Sequence, residues 1–293
     1  MAGPKVFLDY DQAALDAAYD QAAYEPNIDQ MRKRWASNSA RTRGRIGAPL
    51  RRKYGEAEVE GLDIFRTSRR AAPVFVFIHG GAWRAGTAES YSAPAEAFIR
   101  AGAHFVVPDF DWVQNRGGDL FPIADQIRRA IAWTYRNAAG FGGDPNRIYL
   151  GGHSSGAHMA AVALTTDWAR EYDLPADMIK AGLCSSGMYE LAPVRLSHRA
   201  SYVKFTDAMV ERLSPIRHIK HLGAPLIVSY GTYETPEFQR QAKEFAAAVE
   251  SAGKPIELLV GENYSHMETP ETLCNPHGLL GAAILDLMGL SQG

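Results

Sequence analysis

Residues 148–166 read IYLGGHSSGAHMAAVALTT, and this stretch decides the fold. An apolar, β-rich run, Ile148–Gly151, leads into Gly152-His153-Ser154-Ser155-Gly156, and an alanine-rich helical pattern follows at once. G-x-S-x-G between a strand and a helix is typical of a nucleophile elbow, a sharp turn that presents a serine hydroxyl above a sheet. The stretch therefore predicts a β-strand, a strained turn and a helix that packs back on the sheet.

Ser154 is the predicted nucleophile of this turn. Glycine stands two places before it and two places after it, where a side chain would strike the neighbouring strand or helix. The hydroxyl would lie at a helix N-terminus, where the helix dipole favours developing negative charge. Ser155 is the weaker candidate, because His153 rather than a glycine stands two places before it.

Apolar runs of strand length recur on both sides of the turn. Several, such as Val74–Ile78, are apolar almost throughout, as expected for strands covered on both faces of a parallel sheet. Helical patterns lie between the runs, and this alternation predicts a doubly wound α/β sheet. The predicted strands are Arg51–Gly55, Leu62–Thr67, Val74–Ile78, His104–Pro108, Ile148–Gly151, Ala181–Ser185, Leu226–Tyr230 and Ile256–Val260, and the predicted helices are Pro122–Asn137, Ser155–Ala169, Glu237–Ala252 and Gly278–Met288.

Two segments outside this alternation are predicted to form a small helical cap. Residues 1–50 contain a helical stretch and then Ile28, Met31 and Trp35 at spacings of three and four. The connection 188–221 is too long for a structureless loop in a compact domain, so we expect short helices over the C-terminal edge of the sheet. Open α/β sheets bind their ligands at that edge. We predict one domain over residues 1–293.

Composition excludes several classes of partner. The chain has 293 residues, 46% of them apolar, and its 31 basic and 33 acidic residues give a formal charge of −2. The chain therefore has no excess of basic residues with which to bind nucleic acid or an anionic membrane. Cys184 and Cys274 have no metal-ligand spacing, H-E-x-x-H is absent, and we expect neither metal nor cofactor. No signal-peptide or membrane-spanning run is visible, so we expect a cytoplasmic protein without membrane contact.

A second loop is predicted to bind an oxyanion. His79-Gly80-Gly81-Ala82-Trp83 follows the third predicted strand, the position of the HGGG-type loop that donates backbone amides in α/β-hydrolases. The N–H groups of Gly81, Ala82 and Ser155 could surround the negative oxygen of a tetrahedral intermediate.

A serine nucleophile needs a base, which follows the acid in the chain order of this architecture. His266 stands in a polar loop directly after the last predicted strand, from which it can reach the catalytic edge of the sheet. His158, one turn into the helix after Ser154, is expected to be packed or solvated. His277, at the start of the final helix, is the alternative base.

The acid is expected in the loop after the predicted strand Leu226–Tyr230. Glu234 stands in that loop, whereas Glu237 falls in the first turn of the next helix after Pro236. We therefore predict Glu234 as the acid that orients His266, and Glu237 as a solvated charge.

Four stretches together resemble a known family: HGGAW, FGGDPNRIYLGGHSSGAH, GTYETPEFQRQ and the loop of His266. They resemble the arylformamidase (kynurenine formamidase) branch of the α/β-hydrolases, near the hormone-sensitive-lipase-like esterases, from about Gly61 to the C-terminus. The resemblance implies an eight-stranded fold, a cofactor-free acyl-enzyme mechanism and hydrolysis of N-formyl amides or small carboxylic esters. The chain departs from the family at Glu234, where Asp is common, and at Ala82, where an aromatic residue or glycine is usual.

The residues of the predicted pocket do not select a single substrate. Its candidate lining residues are Trp83, Tyr24, Trp35, Met188, Tyr189 and His153. The leading hypothesis is a serine hydrolase of N-acyl, especially N-formyl, amides or aryl esters, and a general carboxylesterase is the close alternative. A binding protein that has lost catalysis and a metal-dependent hydrolase have less support from the motifs. The partner is a small molecule, and a homodimer is plausible for this kind of enzyme.

Overall fold

One eight-stranded sheet runs through the computed structural model, which describes residues 3–290. The strands lie in the order β1-β2-β4-β3-β5-β6-β7-β8, antiparallel between β1, β2 and β4 and parallel elsewhere. The predicted mostly parallel sheet is confirmed. The strands are β1 (Leu50–Lys53), β2 (Gly61–Phe65), β3 (Ala72–Ile78), β4 (His104–Pro108), β5 (Gly143–His153), β6 (Ile179–Ser185), β7 (Leu226–Gly231) and β8 (Ile256–Gly261).

Helices cover both faces of this sheet. The α-helices are α1 (Gln12–Ala18), α2 (Ile28–Ile46), α3 (Ala95–Ala101), α4 (Phe121–Asn137), α5 (Ser155–Leu164), α6 (Trp168–Tyr172), α7 (Leu191–Val194), α8 (Asp207–Leu213), α9 (Pro236–Ser251), α10 (Glu268–Glu271) and α11 (Leu279–Leu287). Short 3-10 helices span Gln21–Ala23, Val113–Arg116, Ala138–Phe141, His198–Ser201, Pro215–His221 and Thr272–Cys274.

The alternation of side chains along β3 creates two cores. Val76 and its alternate neighbours pack into the layer that contains buried side chains of α4, α5 and α9. Phe75 and Phe77 point to the opposite face, where Phe75 stacks on Phe98 of α3 with ring centroids 4.6 Å apart. Both faces are therefore apolar, which is why β3 carries no alternation of polar residues in its sequence.

Each of the eight predicted strands occurs, with ends that differ by a few residues. The predicted helix Ser155–Ala169 is wrong in one respect, because it is broken into α5 and α6. The side chain of Asp167 accepts a hydrogen bond from the N–H of Arg170 and begins α6 as an N-cap. The sequence interpretation did not include α3.

Residues of the N-terminal segment and of the segment 188–221 line one cavity together with the turn after β5. The segment 188–221 contains α7, α8 and two 3-10 helices, as expected for so long a connection. The predicted domain, 1–293, includes residues 1–2 and 291–293, which lie outside the described residues. No helix within residues 3–290 is both long enough and apolar enough to cross a bilayer.

Candidate active site

Ser154 lies in the turn between β5 and α5 with a strained backbone. Its φ is 58° and its ψ is −127°, a conformation that costs a non-glycine residue about 1–3 kcal/mol. A Cβ on Gly152 would lie 2.4 Å from the carbonyl oxygen of Gly156, and one on Gly156 would lie 2.1 Å from that of Ile78. Both glycines are therefore required by close backbone contacts.

A chain of hydrogen bonds joins Ser154 to His266 and Glu234. The Oγ of Ser154 lies 2.9 Å from Nε2 of His266, and Nδ1 of His266 lies 2.8 Å from Oε2 of Glu234. The carboxylate can hold only the tautomer in which Nδ1–H donates to it, so Nε2 is the acceptor that faces the serine hydroxyl. All three side chains are buried.

Glu234 is itself held in place. Its second oxygen, Oε1, accepts hydrogen bonds from the N–H of Gly231 at 2.7 Å and from the hydroxyl of Ser186 at 2.6 Å. The end of β7 and the loop after β6 thus fix the carboxylate from two sides. These hydrogen bonds orient the other oxygen, Oε2, towards His266.

His153 packs against the imidazole of His266, with ring centroids 4.5 Å apart. Its Nε2–H donates to the carbonyl oxygen of His266 at 2.9 Å, so it also holds the backbone of that loop. Burial, and then repulsion from a charged His266, lower the pKa of His153 well below its ordinary value. His153 is therefore a neutral neighbour at neutral pH.

The loop of residues 79–83 is held under strain beside Ser154. Ala82 and Trp83 have φ values of 55° and 60°, in the left-handed region that side chains rarely adopt. The Oγ of Ser155 accepts the N–H of Trp83 at 3.1 Å, and the indole N–H of Trp83 donates to Nδ1 of His158 at 3.2 Å. These two contacts fix the end of the loop.

The amides predicted for an oxyanion hole make no hydrogen bond within residues 3–290. Among the described residues, no acceptor pairs with the N–H of Gly81, Ala82 or Ser155. Gly81 and Ala82 also line the cavity that contains Ser154. The three amides therefore remain available to a ligand oxygen.

The cavity at Ser154 has a volume of about 580 Å³. The N-terminal segment, the loop after β3 and the segment 188–221 supply most of its wall. Of the predicted lining residues, Trp35 and His153 reach it. The wall consists of Tyr19, Asp20, Gln21, Ile28, Arg32, Trp35, Ala36, Gly81, Ala82, Arg84, Ala85, Gly86, Ser90, Tyr91, His153, Ser154, His198, Arg199, Tyr202, His266 and Met267.

Four predicted lining residues lie elsewhere. Met188 is fully buried in the core, and Tyr189 stacks on Phe245 with ring centroids 4.3 Å apart and donates to the carbonyl of Cys184. The chain turns inward after β6, so these side chains enter the core beneath the cap. Trp83 is buried behind its loop, and Tyr24 is 44% exposed outside the cavity.

The sequence interpretation missed His198, Arg199 and Tyr202, which line the cavity instead. They stand on the 3-10 helix His198–Ser201 and directly after it. Their segment was identified as a cap, but so short a helix has no periodicity that shows which side faces a cavity. Basic and aromatic residues clustered in the segment were the only available signal.

Within residues 3–290, no side chain of the other candidates for base and acid hydrogen-bonds to the hydroxyl of Ser154 or to the imidazole of His266. His277 is exposed before α11 and lines a different cavity, and His158 is packed in the core. Burial lowers the pKa of His158 to about 4. The expectation that Glu237 is solvated is wrong: it is fully buried, pairs with Arg240 at 2.7 Å and accepts the hydroxyl of Tyr19 at 2.9 Å.

Within the described part of the chain, no group of three or more His, Cys, Asp or Glu side chains is arranged to hold a metal ion. The polar groups at Ser154 are a hydroxyl, an imidazole and a carboxylate in series, an arrangement suited to nucleophilic catalysis.

Known proteins are similar to this chain in sequence and in architecture. The BD-FAE family model matches residues 62–249. A kynurenine formamidase from Danio rerio is 30% identical over 245 residues, which are 81% of this chain and 81% of that protein. The esterase LipC from Mycobacterium tuberculosis is 26% identical over 228 residues, 69% of this chain and 55% of LipC.

Solved structures agree on the fold. The crystal structure of a protein from Silicibacter sp. TM1040 superimposes with a TM-score of 0.81 at 24% identity and covers 92% of this chain and 98% of its own. The predicted α/β-hydrolase fold is therefore confirmed. The chain belongs to the BD-FAE family and is a hydrolytic enzyme of the α/β-hydrolase superfamily, on the branch related to the kynurenine formamidases.

Proposed function

We propose that this hydrolase cleaves a small N-formyl aryl amide through attack by Ser154. The observation that carries the proposal is the hydrogen-bonded series Ser154, His266 and Glu234, opening on a cavity beside three unengaged amides. The kynurenine formamidase relatives support the amide bond as the target.

In the proposed mechanism, Nε2 of His266 takes the hydroxyl proton as Oγ of Ser154 attacks the carbonyl carbon. The amides of Gly81, Ala82 and Ser155 bind the resulting oxyanion, and Glu234 stabilises the imidazolium. His266 then gives its proton to the leaving amine nitrogen as the carbon–nitrogen bond breaks. An acyl group stays on Ser154.

The second half repeats the same steps with water. His266 takes a proton from a water molecule, the hydroxide oxygen attacks the acyl carbon, and the ester bond to Ser154 breaks as Oγ recovers the proton. The products are the amine and a carboxylic acid, formate in the case of a formyl group. The chain's own residues suffice for each proton transfer.

A carboxylesterase is the second candidate, which the esterase relatives support. Esters use the same nucleophile, base and oxyanion site, and only the leaving oxygen differs from the leaving nitrogen. The pocket rather than the fold decides between them. We also propose that the N-terminal segment of residues 1–50 and residues 188–221 act as the cap over the site; the cytoplasmic location and the homodimer stay predictions.

The test combines labelling with a substrate panel. A fluorophosphonate should add one adduct mass to the protein, and Ser154→Ala should lose the adduct and lower kcat by at least about 10⁴-fold. Formanilides should then be turned over with a higher kcat/KM than 4-nitrophenyl acetate and butyrate. The exposed Ser251→Ala is the control, expected to behave as wild type.

An unlabelled wild-type protein would favour the binding-protein alternative. Full activity in Ser154→Ala would show that another nucleophile acts. A preference for the esters would leave Ser154 in place and favour the carboxylesterase.

A further inference from the structure

A second cavity lies between helices α2 and α3. Its volume is about 570 Å³, and it shares no lining residue with the cavity at Ser154. Helix α2 lines it with the side chains of Asn38, Arg41, Thr42 and Arg45. These positions are three and four residues apart, so they share one face of the helix. The volume is within the range of small-molecule sites, about 300–1,000 Å³, and exceeds what an inorganic ion needs.

The rest of the wall belongs to α3 and to the chain before α11. Glu96 and Arg100 stand four residues apart on α3, and Cys274 and His277 come from the connection to α11. The other lining residues are small or apolar: Ala93, Ala97, Ala101 and Pro276. The exposed basic side chains therefore stand beside an apolar part that includes buried alanines.

The ionisable side chains of this wall carry an excess of positive charge. Arg41, Arg45 and Arg100 contribute three positive charges. Glu96 contributes one negative charge, so two positive charges remain. Both oxygens of Glu96 are engaged, because Oε2 accepts from Nε of Arg45 and Oε1 from Nη2 of Arg100, each at 2.7 Å. The hydrogen bond from Arg45 holds the pKa of Glu96 below its ordinary value, so this carboxylate is charged at neutral pH.

Three polar side chains of the wall are unpartnered among the described residues. The amide of Asn38, the guanidinium of Arg41 and the imidazole of His277 make no hydrogen bond, ion pair or ring contact there. No residue three or four places from Arg41 in α2 is acidic, and Arg45, four places on, repels it. The donors of Arg41 are therefore free for a ligand, and an anion between the two guanidinium groups would relieve their repulsion.

We propose that this second cavity binds an organic phosphate monoester, with its phosphate group among Arg41, Arg45 and Arg100. A phosphate monoester carries about −1.5 to −2 charges at pH 7, which matches the excess of two positive charges better than a carboxylate does. The planar guanidinium fits phosphate oxygens with paired N–H groups. Because the cavity is larger than a phosphate ion and partly apolar, the remaining space suits an apolar organic group. The inference does not rest on the reaction proposed at Ser154.

Cys274 gives a direct readout of this cavity. It is exposed in the wall, whereas Cys184, the other cysteine of the chain, is fully buried. Phenyl phosphate at saturation should slow the alkylation of Cys274 by iodoacetamide about 5-fold or more, measured by intact mass at constant ionic strength. Inorganic phosphate leaves the apolar part empty, so its half-protecting concentration should be about 10-fold higher or more. Phenol, which lacks the charge, should not protect.

Arg41→Gln is the decisive variant, because Arg41 has no partner within residues 3–290 whose loss could disturb the fold. It should raise the Kd of phenyl phosphate, measured by calorimetry and by protection of Cys274, about 10-fold, as expected for a lost hydrogen bond to a charged group. Arg41→Lys keeps the charge and should recover part of the affinity. Lys33→Gln is the matched control: it removes one charge from an exposed position of the same helix outside the cavity, and Kd should change less than about 2-fold.

Four results would refute the proposal. The first is wild-type protein that neither binds phenyl phosphate in the calorimeter nor protects Cys274 in its presence. The second is an equal Kd in wild type and Arg41→Gln. Equal affinity for inorganic phosphate and phenyl phosphate would refute the organic ligand. Phenyl phosphate that competes with 4-nitrophenyl acetate and leaves Cys274 unprotected would bind in the cavity at Ser154 instead. Binding and protection are measured without turnover, so a failure of the proposed function would leave this test intact.

Discussion

The carboxylate of Glu234 is the most constrained side chain of the proposed triad. It reaches His266 with one oxygen and accepts from Gly231 and Ser186 with the other. Glutamate is one methylene longer than the aspartate common in the family, and these two donors hold the longer side chain in a single direction. Glu234 can therefore orient His266 although its side chain is longer than that of an aspartate.

Glu234→Gln should lower kcat by about 10³- to 10⁴-fold with little change in KM, because an amide cannot stabilise the imidazolium and can hold the wrong tautomer. Steady-state kinetics on an ester or formanilide measure this. Glu237→Gln is the comparison: it breaks the buried pair with Arg240, so it should lower the unfolding free energy and largely spare kcat. The reverse ranking of the two kcat values would show that the acid is Glu237.

At the scale of elements, the turn at Ser154 depends on how closely α5 approaches β3. The helix starts at Ser155, and Gly156 lies against the carbonyls of Ile78 and His79 at the end of β3. The same approach brings Ser155 against Trp83 and so couples the serine turn to the loop of residues 79–83. A change in the packing of α5 should therefore displace Ser154 and the amides of the loop together.

Gly156→Ala should lower the unfolding free energy by about 3 kcal/mol or more and abolish activity, because its methyl would meet two backbone carbonyls that cannot move aside. Urea denaturation and turnover measure both effects. Gly140→Ala, with open space around its added methyl, is the control and should change stability by less than about 1 kcal/mol. Equal effects of the two changes would contradict the close contact of α5 with β3.

At the scale of the whole molecule, the fold buries neutral histidines. Burial lowers the pKa of four of them, and in His153 the neighbouring His266 lowers it further. Each would have to be protonated inside the core in acid, whereas in the unfolded chain it takes a proton freely. The four are His79, His104, His153 and His158.

The unfolding free energy should fall as the pH drops from 7.5 to 5.5, and the loss should begin near pH 6.5. The unfolding free energy falls because the pKa of each buried histidine is lower in the folded state than in the unfolded state. The unfolded state therefore binds more protons between pH 7.5 and pH 5.5. His158, with a folded pKa of about 4, contributes up to about 1.4 kcal/mol per pH unit below 6.5.

Urea denaturation across this pH range measures the slope. His158→Gln should make it shallower, whereas the exposed His277→Gln should leave it unchanged. A stability that is flat between pH 7.5 and 5.5 in the wild type would contradict the burial of neutral histidines.

The sequence by itself determined the sheet and the order of the candidate catalytic groups along it. The strands are short apolar runs that end at turn residues, and the glycines around Ser154 are required by close contacts within the turn. Both features depend on residues that are near each other in the chain, so both can be predicted from the sequence. Ser154, Glu234 and His266 follow strands β5, β7 and β8, whose carboxyl ends meet at one edge because the strands are parallel.

Only the tertiary structure decided which cap residues face the cavity and which lie in the core. Arg199 and Met188 belong to the same connection, yet the first lines the cavity and the second is buried beneath it. The burial of Glu237 likewise comes from Tyr19 and Arg240, one of them 218 residues away. The orientation of short helices over a sheet is set by contacts between distant segments, and no local periodicity encodes those contacts.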